Sequence, residues 1–150
     1  MIGIFNSLFE ISLRILMILY VTKDKMTIDR IVAMDFITVY GKDFGVSEEN
    51  LHGENNYRFS EYAARRHIMT QAIKELVIRN YIVPHANKKG FCYSISEDGK
   101  LFCESLNDEY ANVYKSNLKR ANTMFLNYSD RKIMQCINEY AVGMFGGDAQ

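Results

Sequence analysis

Two short β-prone runs sit in a chain whose other patterned stretches are all helical, and that placement restricts the fold most. Tyr81-Ile82-Val83 and Phe91-Cys92-Tyr93-Ser94-Ile95 lie on either side of the turn group Asn87-Lys88-Lys89-Gly90. β-branched and aromatic residues suit pleated backbone, and a polar turn ending in Gly between two such runs predicts a hairpin. An isolated two-stranded hairpin is marginal in water, so helices must cover it.

The helices come before and after it. Residues 6–21 place Leu8, Ile11, Ile15 and Leu19 on one face, with Leu16 beside them. Polar residues 22–25 end that helix. Thr27 caps a second, with Asp29 in its first turn, and Ile28, Ile31, Val32, Phe36 and Val39 form its stripe up to Gly41. Residues 45–59 form a long polar connection, a length often kept for function. Ser60 is the expected cap of a third helix running to about Arg79, with Tyr62, Met69, Ala72, Ile73 and Leu76 inward and Asn80 as its left-handed stop. After the hairpin, Ser96 caps a helix expected to run to about Leu126. Ser129 caps a last one, and Gly146-Gly147 begins a tail.

Helix, helix, helix, hairpin, helix is the order of a winged helix-turn-helix, its third helix the recognition element and its hairpin the wing. The expected fold is mostly α: a winged-helix domain over 1–96, a C-terminal helical extension over 97–145 packed on it, and a tail over 146–150. The apolar N-terminal stretch reads as a buried helix. Glu10 and Arg14 interrupt it, and residues 15–21 fall far short of the roughly 20 needed to cross a bilayer. A cytoplasmic location with no membrane contact is the expectation.

Lys plus Arg number 18 and Asp plus Glu 18, which argues against a chain that coats nucleic acid by bulk charge. The charge is unevenly placed. Across 60–90, Arg65, Arg66, Lys74, Arg79, Lys88 and Lys89 face only Glu61 and Glu75, a balance of +4. Across 96–110, five acids face Lys100, a balance of −4. The first patch makes Arg65, Arg66, Lys74, Lys88 and Lys89 candidate contacts for DNA or an acidic partner. A solvated face with its countercharge nearby is the competing reading.

Asp35 stands on the apolar stripe of the second helix. A buried carboxylate needs a partner, and Arg65 or Arg66 is expected to pair with it and lock the second helix to the third. No second acid, metal ligand or activated nucleophile accompanies Asp35, so a structural ion pair is favoured over catalysis. Cys92, Cys103 and Cys136 are odd in number with no C-x-x-C spacing, and His52, His67 and His85 are scattered. Neither a metal site nor a cofactor is expected. The connecting loop has no G-x-x-x-x-G-K phosphate cradle. Leu51 and His52 in that loop are candidate partner contacts. Tyr110, Tyr114 and Arg120 join them, because the C-terminal helices carry more aromatic and Met surface than a minimal winged helix must cover. Core is the alternative role for those aromatics.

Several of these elements together resemble a known family. They are Ile28-Asp29, Asp35-Phe36, Lys42-Asp43, Leu51-His52, Arg65-Arg66, Tyr93-Ser94-Ile95 with Gly99 and Phe102, and Tyr110 followed by Leu118-Lys119-Arg120-Ala121. Their order and spacing, over residues 8–124, are similar to the middle component of ABC-three-component systems, the set that includes Lamassu-type bacterial defence operons. The chain departs from the family pattern at Gly53, where proline is expected, and in having no Trp after Ala121. The resemblance implies a non-catalytic accessory subunit, not an enzyme. It would bind the heads of an SMC-like ATPase and help control an effector nuclease, with a weak contact to double-stranded DNA and no small-molecule substrate. A stand-alone winged-helix transcription regulator is the competing function.

Overall fold

The computed structural model describes residues 7–52, 58–88 and 90–148. It is mostly helical, with one small antiparallel hairpin. Helix α1 spans Leu8–Thr22, α2 Ile28–Val39, α3 Arg58–Ile78, α4 Glu97–Glu104, α5 Glu109–Met124 and α6 Asp130–Asp148. Strand β1 spans Ile82–Asn87 and β2 Gly90–Ile95, and a short 3-10 turn follows α2 at Gly41–Phe44.

Local chemistry sets most of these boundaries. Ser7 accepts from the Glu10 amide and caps α1, and Lys23 ends it in the left-handed conformation at φ 56°. Thr27 accepts from the Arg30 amide and caps α2. Ser96 accepts from the Gly99 amide and donates to the Asn80 carbonyl, so one hydroxyl starts α4 and ties it to the end of α3. Asn80 is the left-handed stop after α3, at φ 63°. In each case a side-chain oxygen or a left-handed residue satisfies a helix end.

Three boundaries differ from the sequence expectation. Helix α3 begins at Arg58, so Ser60 lies inside its first turn and is not the cap. The helix expected from Ser96 to Leu126 is two helices. Ser105, Asn107 and Asp108 all compete with helical backbone hydrogen bonds, and Asp108 accepts from the Ala111 amide to start α5 afresh. Lys115 then donates to the freed carbonyls of Cys103 and Leu106. Helix α6 continues to Asp148, past Gly146-Gly147.

The hairpin is in register from Ile82↔Ile95 to Asn87↔Gly90. Met26, between α1 and α2, exchanges backbone hydrogen bonds with Tyr93 on the far side of β2. Helix α2 is the centre of the molecule. Every residue from Ile31 to Gly41 is buried, as for a helix surrounded on all sides. Helices α1, α3, α5 and α6 pack around it, and one apolar cluster joins Ile15, Phe36, Met69, Leu118 and Ile137. Among the described residues no helix is long and apolar enough to cross a membrane.

Candidate functional site: a buried arginine–aspartate–arginine cluster

Encirclement of α2 forces its central carboxylate, Asp35, out of water: its exposure is 0%. Two guanidiniums meet it there. From α1, Arg14 places Nε 2.8 Å from Asp35 Oδ1 and Nη2 3.3 Å from Oδ2. From α3, Arg65 places Nη1 3.1 Å from Oδ2. The Tyr114 hydroxyl, from α5, donates to Oδ1 at 2.6 Å. One carboxylate therefore binds four helices together.

A second layer reaches the connecting loop. The Tyr110 hydroxyl lies within hydrogen-bonding reach of Arg14 and 2.7 Å from His52 Nε2, and the two rings stack with centroids 6.0 Å apart. The loop is also pinned at Leu51, whose amide donates to the Val39 carbonyl.

The electrostatics follow from burial and charge. Burial alone would raise the Asp35 pKa, but Arg14 and Arg65 together outweigh it and hold the carboxyl at about 2. Burial alone would lower Arg14, and Asp35 with Tyr114 more than restores it. Burial, aided by the Arg14 charge, pushes His52 down to about 3. Tyr110 rises to about 12 and Tyr114 is held well above the ordinary tyrosine value, in both cases chiefly through burial. At neutral pH the cluster is a fixed carboxylate, fixed guanidiniums, a neutral imidazole and neutral phenols. A general acid or base works best with a pKa near the operating pH and access to substrate. Asp35 has neither, and the cluster's chemistry is that of a structural lock.

The remaining candidate residues lie elsewhere. Arg65 is 3% exposed and Tyr114 0%, so neither reaches a surface ligand, and both leave the set of contact residues. Arg66 points outward and pairs with Asp29, not Asp35, because the step of about 100° between neighbouring helical residues separates it from Arg65. Arg79 pairs with Glu75 on its own helix at 3.4 Å. Lys74, Lys88 and Arg120 are exposed. Leu51, His52 and Tyr110 are half-buried against the core and each other. Lys89 lies outside the described residues. No group of three or more His, Cys, Asp or Glu able to hold a metal occurs among the described residues. Cys92, Cys103 and Cys136 are free, and burial raises the Cys103 thiol to about 11.

The family model of the ABC-three component (ABC-3C) system Middle Component 2 matches residues 4–146. The chain belongs to this family. As a Middle Component 2 it is one part of a multi-component system, which implies partners in a hetero-complex. No curated protein and no solved structure matches the chain.

In this Middle Component 2 the residue that sequence reasoning missed is Arg14. It registers there only as a charge interrupting an apolar run. The same argument that singles out Asp35 applies to it, since Arg14 lies one turn from both Ile11 and Ile18 on the buried side of α1. A second missed tie is Arg30, which donates to the Phe125 and Tyr128 carbonyls and to Asp130, holding α2 to the α5–α6 connection.

Proposed function

We propose that this chain is a non-catalytic accessory subunit of an SMC-like ATPase complex in bacterial anti-phage and anti-plasmid defence, seated on the ATPase heads and helping to control an effector nuclease. Membership of the Middle Component 2 family over residues 4–146 carries this reading. The geometry agrees with it. The succession of α1, the Met26 bridge, α2, α3 and the β1–β2 hairpin fits a winged helix over 1–96, with α3 as recognition helix and the hairpin as wing. The helices over 97–145 are then an extension that completes the core around α2. The polar groups at the centre serve one another, which suits a scaffold that positions surfaces.

The candidate surface for partners comprises Arg120 on α5 and the edge where Leu51, His52 and Tyr110 meet. Lys74 and Lys88 are the candidates for an acidic partner or for a weak contact with double-stranded DNA. Pairing of Arg66 with Asp29 and of Arg79 with Glu75 removes much of the positive field that the sequence puts on this side, and that favours a protein partner over DNA as the main ligand. The stand-alone regulator needs a dimer that reads two half-sites.

Co-expression of the tagged chain with the other components of its system, followed by affinity purification, mass spectrometry and light scattering, tests the reading. Recovery of a large ATPase in a complex of defined mass is the expected result. A homodimer recovered alone, with a steep salt-dependent affinity for one DNA sequence, replaces it with the regulator.

A further inference from the structure

A pocket of about 240 Å³ opens between α1 and the start of α5. Its floor is apolar: Leu13 and Met17 come from α1, Leu106 from the link before α5, and Ala111 from the first turn of α5. Two carboxylates line the same pocket, Glu10 one turn before Leu13 on α1 and Asp108 as the cap of α5. Tyr110 completes the wall, and its hydroxyl is the one that meets His52 at 2.7 Å. The pocket therefore adjoins the edge where Leu51, His52 and Tyr110 come together.

Neither Glu10 nor Asp108 has an ion-pair partner among the described residues. Asp108 Oδ1 accepts from the Ala111 amide at 2.7 Å, which takes up one of the roughly four acceptor positions of a carboxylate. The two cations nearest along these helices point elsewhere. Arg14, one turn after Glu10, is turned into the core onto Asp35. Lys115, one turn after Ala111, donates to the Cys103 and Leu106 carbonyls. Residues 101–114 contain Glu104, Asp108 and Glu109 and no Lys or Arg. The floor therefore suits an apolar stem, and the carboxylates that line the pocket suit a cation at its end.

We infer that this pocket receives an arginine side chain from another component of the system, its methylenes on Leu13, Met17 and Leu106 and its guanidinium on Glu10 and Asp108. Long cationic side chains bury their stems on apolar surface in this way. Carboxylates carried by two different elements suit a planar fork of donors better than a compact ammonium. Arginine is also enriched, and lysine depleted, at protein interfaces. The volume holds one long side chain and falls below the roughly 300–1,000 Å³ of a small-molecule site. A metal ion fits less well, because two carboxylates over an apolar floor supply few of the about six to eight oxygens that calcium takes. The inference rests on the accessory-subunit reading and adds where a partner is held and by what chemistry.

The test uses the full chain with the purified components of its system. Glu10→Gln with Asp108→Asn removes both charges and keeps both shapes. Asn caps a helix as well as Asp does, so the melting temperature of the isolated double variant stays within about 4 °C of the parent. The double variant is expected to bind its partner at least about tenfold more weakly, mainly through faster dissociation, and with a flatter salt dependence. Glu139→Gln, at an exposed acid on α6, is expected to bind like the parent. Blocking the partner's arginines with phenylglyoxal is expected to close the gap between parent and double variant, and acetylating its lysines to leave that gap open. Unchanged affinity in the double variant, or an equal loss in Glu139→Gln, overturns the pocket contact and leaves the accessory-subunit reading standing. A gap closed by lysine acetylation and left open by phenylglyoxal overturns the choice of arginine. Failure of the parent chain to bind any component overturns both readings. A parent homodimer that the double variant dissociates makes the occupant a second copy of this chain and overturns the inference as stated.

Discussion

Asp35→Asn removes one charge and almost no volume, and so isolates what the central carboxylate does. Asp35 is 0% exposed and accepts from Arg14, Arg65 and Tyr114 at 2.6–3.3 Å. In the variant, two buried guanidiniums lose their common counterion, and the new amide turns N–H donors toward groups that are themselves donors. Removing one partner of a buried ion pair costs about 3–5 kcal/mol, far more than the intact pair contributes, because the charge left behind has lost its water. A chain of this size is stable by only about 5–15 kcal/mol. Each kcal/mol moves the midpoint roughly 2–4 °C, so the expected drop in Tm is roughly 6–20 °C. Urea unfolding followed by circular dichroism should show the same loss as a lower midpoint with unchanged slope. The carboxylate also predicts an acid limb. Its pKa is about 2 in the fold against an ordinary 3.8. A depressed pKa means that the stabilisation is complete above pH 3.8 and is lost as pH falls through about 2; the shift is worth about 2 kcal/mol. That figure is smaller than the mutational one because protonation leaves a hydrogen-bonding carboxyl in place. Replacing the cluster together, as Arg14→Met, Asp35→Leu, Arg65→Met and Tyr114→Phe, should recover part of the loss, since apolar packing can stand in for a buried ion cluster. A Tm for Asp35→Asn within about 2 °C of the parent would refute the lock.

Three further outcomes follow from the same geometry. Arg65→Ala should cost about 3–5 kcal/mol, as it strips a buried partner from Asp35, whereas Arg66→Ala, on an exposed pair with Asp29, should cost less than about 1 kcal/mol; equal losses in urea titrations would contradict the placement of the two side chains. Burial and the Arg14 charge hold the His52 pKa at about 3 against an ordinary 6.5, so the unfolded chain takes up a proton there first and stability declines as pH falls from 6.5 toward 3; Tm measured over that window should fall less steeply in His52→Gln, and parallel curves would place His52 in water. Gly99→Ala would drive a Cβ into the Tyr81 carbonyl and Ile95 Cγ1, and because backbone cannot move aside cheaply the loss should be about 1–3 kcal/mol; an unchanged urea midpoint would show that α4 can shift away from the end of α3.

What was legible in the sequence was local. The hairpin, the caps at Thr27, Ser96 and Ser129 and the stop at Asn80 each depend on a few neighbouring residues, and the structure has them. The break at residues 105–108 was equally local, written in Ser105, Asn107 and Asp108, but the apolar periodicity from Phe102 through Leu118 masked it. Periodicity alone continues across a break when the two helices it joins both face the same core.

The cluster needed tertiary information at one point in particular. Counting back from the buried stripe of α3, both arginines qualify: Arg65 lies one turn from Met69 and two from Ala72, and Arg66 one turn from Met69 and two from Ile73. Which one turns inward depends on the azimuth of α3 against α2, and no pattern within α3 contains that angle. Arg14 supplies the complementary lesson. A cation among Ile11, Ile15 and Ile18 and an anion among Ile31, Val32 and Val39 each carry a large desolvation cost alone. Taken together they are a solution, because only pairing across the two helices satisfies both. Two arginines from different helices on one carboxylate admit few alternative registers of α1, α2 and α3, since sliding any of these by a turn strands a charge in an apolar core, and sliding α5 takes the Tyr114 hydroxyl from Asp35. The four-helix arrangement is thereby specified by its most polar point, and the surfaces offered to partners are held in fixed relation by a contact that no partner touches.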